Sequence, residues 1–273
     1  MRWPMAELIV GDCVDVMGGW PAASVDVVVT SPPYNIGIKY GVYRDDGARM
    51  DYIAWFETVS AGVKRILKDD GSLFVVVDGS CKDPWVPFEL ADVLRYDLVL
   101  QNHIVWVKSV TVGGTSHGHF KPITSRRFVN NNFEQVFHFT KTGTVDVDRL
   151  AVGVPYADKG NIDRWEGSGK DIRCAGNVWY VPYETINSRL GDRGGHPATF
   201  PVALAERCIL LHGVETGLRV VDPFVGTGTT GVSCKKLGVP FVGIDVDAEY
   251  IAFARRRIDG YKTPQARLDM RPR

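Results

Sequence analysis

Short, uninterrupted apolar runs rich in β-branched residues alternate along this 273-residue chain with segments of helical periodicity. A continuous apolar strand is typical of a parallel sheet, because helices cover both faces of such a sheet. The alternation therefore predicts an α/β protein with a doubly wound, mostly parallel sheet, whose ligands bind beyond the carboxyl ends of the strands. The seven predicted strands are 7–10, 25–30, 72–77, 103–107, 134–139, 218–222 and 240–245.

Five segments between these strands have the periodicity of amphipathic helices. The last of them, Ala248–Ile258, is preceded by Asp247, which is a favourable N-cap residue, and we expect it to end near Gly260. The other four predicted helices are 50–67, 86–94, 201–212 and 228–236. From 141 to about 195 neither periodicity persists, which indicates an inserted or peripheral module.

The composition excludes several classes of protein. With 45% hydrophobic residues, 23% charged residues and a formal net charge of 0, the chain is neither disordered nor suited to coating nucleic acid by bulk charge. The five Cys form no CxxC pair, so we expect a reducing cytoplasm and no disulfide framework. We expect no metal site either, and no membrane span, because no apolar run reaches the roughly 18 residues that a span requires.

The sequence Thr30-Ser31-Pro32-Pro33-Tyr34-Asn35 directly follows a predicted strand. Two consecutive prolines fix φ and remove two N–H donors, so the turn is stiff and its carbonyls are free to accept. Such a turn suits a planar amine: the Ser31 hydroxyl and the Pro32 carbonyl would accept from the NH₂ group, and Tyr34 would stack on the base. Taken alone, the motif is also compatible with a rigid surface turn.

A glycine-containing loop, 222–230 with the sequence DPFVGTGTT, links another predicted strand to a helix. Gly226 and Gly228 would let the backbone approach a ligand closely, and Phe224 offers an apolar face beside them. Because the loop completes neither a P-loop nor a GxGxxG pattern, it predicts a cofactor site without a nucleotide-phosphate cradle. The alternative is a tight bend between a strand and a helix.

Two aspartates stand at the ends of predicted strands. Asp245 ends the strand that follows the glycine loop, where a carboxylate can accept from both hydroxyls of a ribose. Asp12 is placed similarly after the first strand. Either residue, considered separately, could simply cap a helix.

The stretch 102–133 contains basic residues and no acidic residue. Its glycines at 113, 114 and 118 suggest a mobile loop from which Lys121, Arg126 and Arg127 could reach DNA phosphates. A solvent-exposed loop without a partner is the alternative. His138, within a predicted strand, is interpreted as a packed residue rather than a catalyst.

Four motifs occur in a fixed order: TSPPYN, HPATFP (196–201), DPFVGTGTT and FVGID (241–245). Together they resemble the β-class, or permuted, DNA amino-methyltransferases, in which the catalytic motif precedes a target-recognition region and then the cofactor loop. The resemblance covers 5–140 and 194–258. It implies a Rossmann-like methyltransferase fold with a circularly permuted motif order and a seven-stranded sheet, S-adenosyl-L-methionine as cofactor and double-stranded DNA as partner.

Carried over to this chain, the resemblance implies a role for each motif residue. Ser31, Pro32, Pro33 and Tyr34 would hold the target base and its amine. The cofactor site would comprise Asp12 near the adenine, Asp245 at the ribose, Phe224, Gly226 and Gly228 at the methionine part, Asp222 in the loop, and His196, Pro197 and Phe200 as a closing segment. The implied domains are a catalytic half (1–140), a target-recognition region (141–193), a cofactor-binding half (194–261) and a loose tail (262–273).

Several chemistries compete at such a site. Methylation at carbon 5 of cytosine needs a Pro-Cys nucleophile, and none of the five Cys follows a proline. Within the resembling families SPPY is commoner in enzymes that methylate N4 of cytosine and DPPY in those that methylate N6 of adenine, so we expect N4 of cytosine, with N6 of adenine as the alternative. A catalytically silent DNA-binding regulator is a second alternative. By analogy, a homodimer and a companion restriction enzyme are also expected candidates for partners.

Overall fold

The computed structural model describes residues 5–118, 123–162, 164, 169–182 and 199–262. Its strands are β1 (Glu7–Val10), β2 (Val25–Thr30), β3 (Leu67–Val77), β4 (Val99–Val107), β5 (Ser109–Val112), β6 (Thr115–Gly118), β7 (Phe133–Thr140), β8 (Val178–Tyr180), β9 (Val220–Asp222) and β10 (Phe241–Asp245). Its α-helices are α1 (Cys13–Gly18), α2 (Arg49–Ile66), α3 (Val86–Leu94), α4 (Val202–His212), α5 (Thr229–Leu237) and α6 (Ala248–Gly260).

Among the described residues, eight strands form one sheet in the order β1-β10-β9-β2-β3-β7-β4-β8. β7 runs antiparallel to both of its neighbours, and every other pair in the sheet is parallel, which confirms the prediction of a mostly parallel sheet. The predicted count of seven strands is wrong by one, because β8 also joins the sheet. β8 is only three residues long and just its central residue is buried, so it is too short for a strand pattern to be recognised.

The order of strands brings distant parts of the chain together. β9 and β10 lie between β1 and β2, with β10 paired to β1 and β9 paired to β2. The carboxyl ends of these four parallel strands therefore meet at one edge of the sheet, which carries Asp12, Ser31, Phe224 and Asp245. We refer to it as the carboxyl edge.

Helices cover both faces of the sheet, as a doubly wound fold requires. On one face, α4, α5 and α6 bury residues such as Leu204, Val232 and Ile258 against the sheet. On the other face, α1, α2 and α3 bury Met17, Phe56 and Leu90 among others. No helix in the described part of the chain is both long enough and apolar enough to cross a membrane.

The helix boundaries agree closely with the predictions, and the exceptions have local causes. Asp247 caps α6 by accepting from the Glu249 N–H at 2.8 Å, and that helix ends at Gly260. Helix α1 was missed because its six residues are too few for a periodic pattern. Its N-cap is Asp12, whose side chain accepts from the Val14 N–H at 2.7 Å.

The segment that follows β7 packs against the sheet instead of standing apart from it. After β7 ends at the edge opposite the carboxyl edge, the Asp148 N–H donates to the Leu211 carbonyl at 2.7 Å. The chain then returns, and Trp106 Nε1 donates to the Val181 carbonyl at 2.8 Å beyond the end of β8. The described residues between 141 and 182 thus lead back to the carboxyl edge, and 163, 165–168 and 183–193 of the expected target-recognition region lie outside the described residues.

Candidate active site

A cavity of about 970 Å³, including the solvent at its mouth, opens at the carboxyl edge. Loops that follow β1, β2, β9 and β10 contribute to its walls, as the parallel-sheet rule predicts. The predicted site residues that line it are Asp12, Ser31, Pro33, Phe200, Asp222, Phe224, Gly226 and Asp245. His196, Pro197 and Lys121 lie outside the described residues.

A buried hydrogen-bond network joins the two halves of this cavity. The Asp222 carboxylate accepts from the Thr30 hydroxyl and from the Thr230 hydroxyl, each at 2.7 Å. It also accepts from the Phe224 N–H at 3.1 Å. Burial raises the pKa of Asp222 to about 6. With these donors around it, Asp222 fixes the glycine loop to β2 rather than offering a free carboxylate to a ligand.

The glycines of the loop 222–230, Gly226 and Gly228, have different structural roles. The Gly226 N–H donates to Asp245 Oδ2 at 2.9 Å, at the cavity wall. Gly228 has φ +81°, and a Cβ there would stand 2.9 Å from the Cβ of Ala254 in α6. Gly228 is therefore needed for close packing of the loop on α6, and it lies beside the cavity without lining it.

Asp245 presents its carboxylate to the cavity from the end of β10. Oδ1 accepts from the Asp247 N–H and Oδ2 from the Gly226 N–H, both at 2.9 Å. Desolvation raises the pKa of Asp245 above its ordinary value. Because an ionised carboxylate has about four acceptor positions, these two bonds leave capacity for a pair of ligand hydroxyls.

An aromatic wall that sequence reasoning missed faces the glycine loop. The Trp55 ring from α2 lies 5.6 Å from the Phe224 ring and 6.0 Å from the Tyr43 ring. The loop that carries Tyr43 is held by Asp45, whose carboxylate accepts from three backbone N–H groups, those of Asn35, Ile36 and Ile38. Neither Trp55 nor Asp45 belongs to a recognisable motif, so nothing in the sequence marked them.

The Pro-Pro turn is held by a hydrogen bond from α2, and its Ser31 and Pro33 line the cavity. The Tyr52 hydroxyl donates to the Pro33 carbonyl. The carbonyls of this turn were expected to be free to accept, and this one is already occupied. Ser31 Oγ lies 2.8 Å from the Tyr34 hydroxyl. The Tyr34 side chain is only 7% exposed, whereas Ser31 and Pro33 line the cavity, so base stacking on Tyr34 stays a prediction.

Behind this turn lies a cluster of charged groups, which we call the Lys108 cluster: Lys108, Asp78 and Glu134. Lys108 Nζ lies 3.1 Å from Glu134 Oε1 and 3.5 Å from Asp78 Oδ2. Desolvation raises the pKa of both carboxyls, and the two carboxylates raise the pKa of Lys108 against the opposing effect of its own desolvation. Although Lys108 belongs to the acid-free stretch 102–133, it faces these carboxylates rather than solvent.

The remainder of that stretch differs in part from expectation. Residues 109–118 form the β5–β6 hairpin instead of a mobile loop, and Gly113 and Gly114 at its tip have φ +56° and +81°. Arg126 and Arg127 are exposed, and the Arg127 guanidinium lies 5.5 Å from the centre of the Phe128 ring.

His138, in β7, is fully buried, and its Nε2 lies 2.9 Å from Ser72 Oγ. Burial lowers the pKa of His138 to about 4, so it is neutral near pH 7.

The fold and the site together define a class of protein. A doubly wound sheet whose carboxyl edge carries an available carboxylate, an aromatic wall and a rigid Pro-Pro turn is suited to an α/β enzyme that brings a nucleoside-containing cofactor to a second substrate. The chain belongs to the DNA methylase family, whose model matches residues 25–256. It is thus an S-adenosylmethionine-dependent DNA amino-methyltransferase.

Individual relatives span nearly the whole chain. The type II methyltransferase M.SmaI of Serratia marcescens is 30% identical over 92% of this chain and 90% of its own length. The type II methyltransferase M.HpaI of Haemophilus parainfluenzae is 27% identical over 93% of this chain and 74% of its own length.

Solved structures share the fold. The PvuII DNA methyltransferase (cytosine-N4-specific) has a TM-score of 0.69 at 20% identity, covering 94% of this chain and 89% of that one. A DNA modification methylase of Thermus thermophilus, TTHA0409, in complex with S-adenosyl-L-methionine, has a TM-score of 0.63 at 24% identity, covering 94% of this chain and 96% of that one.

The cofactor of this enzyme is S-adenosylmethionine, and the cavity fits it chemically. Asp245 retains acceptor capacity for ribose hydroxyls after its two backbone bonds. Phe224 and Trp55 provide apolar surface. Among the described residues there is no cluster of His, Cys, Asp and Glu that could hold a metal ion.

Proposed function

We propose that the protein methylates N4 of cytosine in DNA, at a base flipped out of the duplex into the cavity beside Ser31. One observation carries this proposal: Ser31, Phe224 and Asp245 line the same cavity although about 190 residues of chain separate the first from the second. The parallel sheet brings the turn and the glycine loop to one edge, and the shared cavity there would let an amine and a cofactor meet.

The residues of the turn would activate the amine by positioning it. The lone pair of an aromatic exocyclic amine is delocalised into the ring, and acceptors that hold its hydrogens restore its nucleophilicity. Ser31 Oγ is such an acceptor, and the Pro32 carbonyl is a second. When bound, S-adenosylmethionine supplies an electrophilic methyl group. Holding both reactants in line can contribute roughly 7–11 kcal/mol to lowering the barrier, so no covalent enzyme intermediate is needed.

The cofactor-binding residues are proposed from the same cavity. Asp245 would accept from the ribose hydroxyls, and the Phe224 and Gly226 segment would contact the methionine part. Asp12 lines the cavity while it caps α1, so it would stand near the adenine in addition to its structural task. Asp222 would act indirectly, by fixing the loop.

Three points support cytosine N4 over the alternatives. The motif begins with Ser31, which the resemblance associates with cytosine enzymes rather than with adenine enzymes. The PvuII enzyme, which shares the fold, is named as cytosine-N4-specific. No Pro-Cys pair is present for methylation at carbon 5. N6 of adenine is the competing target, and an experiment on the modified nucleoside distinguishes the two.

The DNA contacts and partners are likewise proposals. Arg126 and Arg127 are exposed cations that would contact phosphates, and Lys121 would join them. Target recognition would fall to 141–193, whose last described part returns to the carboxyl edge. The relationship to M.SmaI and M.HpaI, both named type II methyltransferases, supports a role as the modification partner of a restriction enzyme.

The test is chemical identification of the product. The purified protein is incubated with unmethylated phage DNA and methyl-labelled S-adenosylmethionine, and the digested nucleosides are separated by mass spectrometry. We expect the label in N4-methylcytosine. Label in N6-methyladenine would refute the proposed target base, and no label in any nucleoside would favour a silent DNA-binding protein. The Ser31→Ala variant serves as the control and should lose most of the incorporation.

A further inference from the structure

The hydroxyls of Tyr34 and Tyr52 meet at the Pro-Pro turn, and the methyl transfer described so far gives neither of them a task. Tyr34 belongs to the turn and Tyr52 to α2, and their side chains are 7% and 4% exposed. Burial raises the pKa of both hydroxyls well above the ordinary value, so each keeps its proton. A buried hydroxyl needs hydrogen-bond partners, and the partners of these two indicate what they do.

Tyr52 holds the far end of the turn. Its hydroxyl donates to the Pro33 carbonyl, and its ring stacks on the Phe56 ring, with the ring centres 6.4 Å apart. The Pro33 carbonyl belongs to the peptide group that leads into Tyr34. A proline ring fixes φ but leaves ψ free to rotate, and the bond from Tyr52 restrains that remaining torsion at Pro33. Tyr52 therefore determines the direction in which Tyr34 leaves the turn.

The Tyr34 hydroxyl connects Ser31 to the sheet. It lies 2.8 Å from Ser31 Oγ, and it donates to the Val76 carbonyl oxygen at 3.4 Å. Val76 is fully buried in β3 and pairs with Val136 of β7, so its carbonyl is a fixed acceptor. With the Tyr34 proton directed to Val76, the Tyr34 oxygen is available to accept from the Ser31 hydroxyl.

The direction of the bond between Ser31 and Tyr34 decides how Ser31 meets an amine. A hydroxyl has one donor and two acceptor positions. If Tyr34 donated to Ser31, one acceptor position would be occupied and the Ser31 proton would stand among the hydrogens of the amine. If Ser31 donates to Tyr34, both acceptor positions of its oxygen remain for the NH₂ group. The Val76 carbonyl makes this second arrangement possible, because it receives the proton of Tyr34.

We propose that Tyr34 and Tyr52 are positioning residues that act through Ser31: Tyr52 fixes the turn, and Tyr34 directs the Ser31 proton away from the amine. Ser31 Oγ, which lines the cavity, is then an acceptor before any base arrives. This inference rests on amine methylation as proposed above, whichever base carries the amine. It differs from base stacking, in which the Tyr34 ring would matter and its hydroxyl would not.

The experiment removes each hydroxyl and leaves the ring, in Tyr34→Phe and Tyr52→Phe. Single-turnover methylation of unmethylated phage DNA with labelled S-adenosylmethionine gives the maximal rate and the half-saturating DNA concentration, and calorimetry gives the affinity for the cofactor. We expect each variant to lose about threefold to tenfold in maximal rate, the range that one hydrogen bond contributes. The cofactor affinity and the half-saturating DNA concentration should stay within about twofold of wild type, because the hydroxyls act on the amine alone.

A second comparison tests whether the two hydroxyls act through Ser31. In Ser31→Ala the hydroxyl that they position is absent, so adding either tyrosine substitution should change the residual rate by less than about twofold. A merely structural role would lower the rate by the same factor in both backgrounds. Tyr96→Phe is the control, because it removes a hydroxyl from an exposed tyrosine just beyond α3, and it should keep the wild-type rate.

A wild-type rate in Tyr34→Phe and in Tyr52→Phe would refute the inference. Losses that multiply with the loss in Ser31→Ala would refute it as well, and so would a fall in cofactor affinity that accounts for the fall in rate. If one tyrosine variant fails to fold, the other carries the test. The assay counts labelled methyl groups on DNA regardless of the base, so an error in the target base leaves it intact. A wild-type enzyme that transfers no label would instead refute the proposed function itself.

Discussion

The Thr30 hydroxyl donates a 2.7 Å hydrogen bond to the Asp222 carboxylate, across 192 positions of sequence. Thr30 directly precedes Ser31, and Asp222 begins the loop that carries Phe224 and Gly226. Both residues are almost fully buried. This bond, with the pairing of β2 to β9, sets the spacing between the turn that would hold the amine and the loop that would hold the cofactor.

Replacing Thr30 with Val should weaken both stability and catalysis. Val has nearly the same shape but no hydroxyl, so a buried carboxylate oxygen loses a donor, at a cost of about 1–3 kcal/mol in the free energy of unfolding. Urea denaturation measures that loss. Thr30→Ser keeps the hydroxyl and should lose less, and an exposed control, Thr144→Val, should leave the unfolding curve unchanged. Equal curves for Thr30→Val and wild type would show that the bond does not bear on stability.

Asp222 should make the stability depend on pH in a definite direction. Its pKa in the folded protein is about 6, above the ordinary 3.8, so between these values the folded state holds a proton that the unfolded state releases. Stability from this group is therefore present below about pH 4 and lost as the pH rises through about 6.

The Asp222→Asn variant removes that titration. Between about pH 4.5 and about pH 7 its free energy of unfolding should fall by about 2 kcal/mol less than that of the wild type, at 1.36 kcal/mol per pKa unit. Urea denaturation at the two pH values supplies the comparison. An identical pH dependence in the two proteins would mean that Asp222 does not titrate in this range.

Asp245→Ala should weaken binding of S-adenosylmethionine. The substitution removes the acceptor proposed for the ribose hydroxyls and also releases the Gly226 N–H, which it holds at 2.9 Å. Hydrogen bonds to a charged group contribute about 1.5–3 kcal/mol each, so we expect the dissociation constant to rise at least tenfold in calorimetry. Asp15→Ala, at an exposed position in α1, is the matched control. Unchanged affinity in Asp245→Ala would exclude the ribose contact.

Arg126→Ala and Arg127→Ala should each reduce the salt dependence of DNA binding. A cation that neutralises one phosphate contributes about 0.9 to the slope of log affinity against log salt, so the double variant should lose roughly 1–2 from the slope. Fluorescence anisotropy with a duplex at several salt concentrations measures it. Arg95→Ala, an exposed arginine at the end of α3, should leave the slope unchanged. A wild-type slope in Arg126→Ala, in Arg127→Ala and in the double variant would remove both residues from the DNA interface.

The strand-end residues were predictable because a single rule places them. Once β2, β9 and β10 are recognised as parallel strands, the residues after them must share an edge, so Ser31, Phe224 and Asp245 could be brought together without coordinates. The Lys108 cluster could not be found in this way. Its Glu134 reaches the same edge at the start of β7, and an apolar run gives no indication that a strand runs antiparallel.

Other differences arose from packing, which local patterns do not contain. Tyr34 follows two prolines and was expected at the surface of a base pocket, yet its ring is buried and its hydroxyl meets Ser31. Gly228 was expected to face a ligand, but it gives room to Ala254 of α6. The Tyr34 hydroxyl also donates to the Val76 carbonyl at 3.4 Å, so in both cases a neighbour distant in sequence helps to determine where the residue lies.

The most direct test of a shared site is a crystal structure of the protein with bound S-adenosylmethionine. We predict that the ribose meets Asp245, that the methionine part lies along Phe224 and Gly226, and that the sulfonium methyl group is directed toward Ser31 Oγ, with space between them for one amine nitrogen. A donor bound away from the carboxyl edge, or a methyl group turned away from Ser31, would contradict the assignment of both halves of the site.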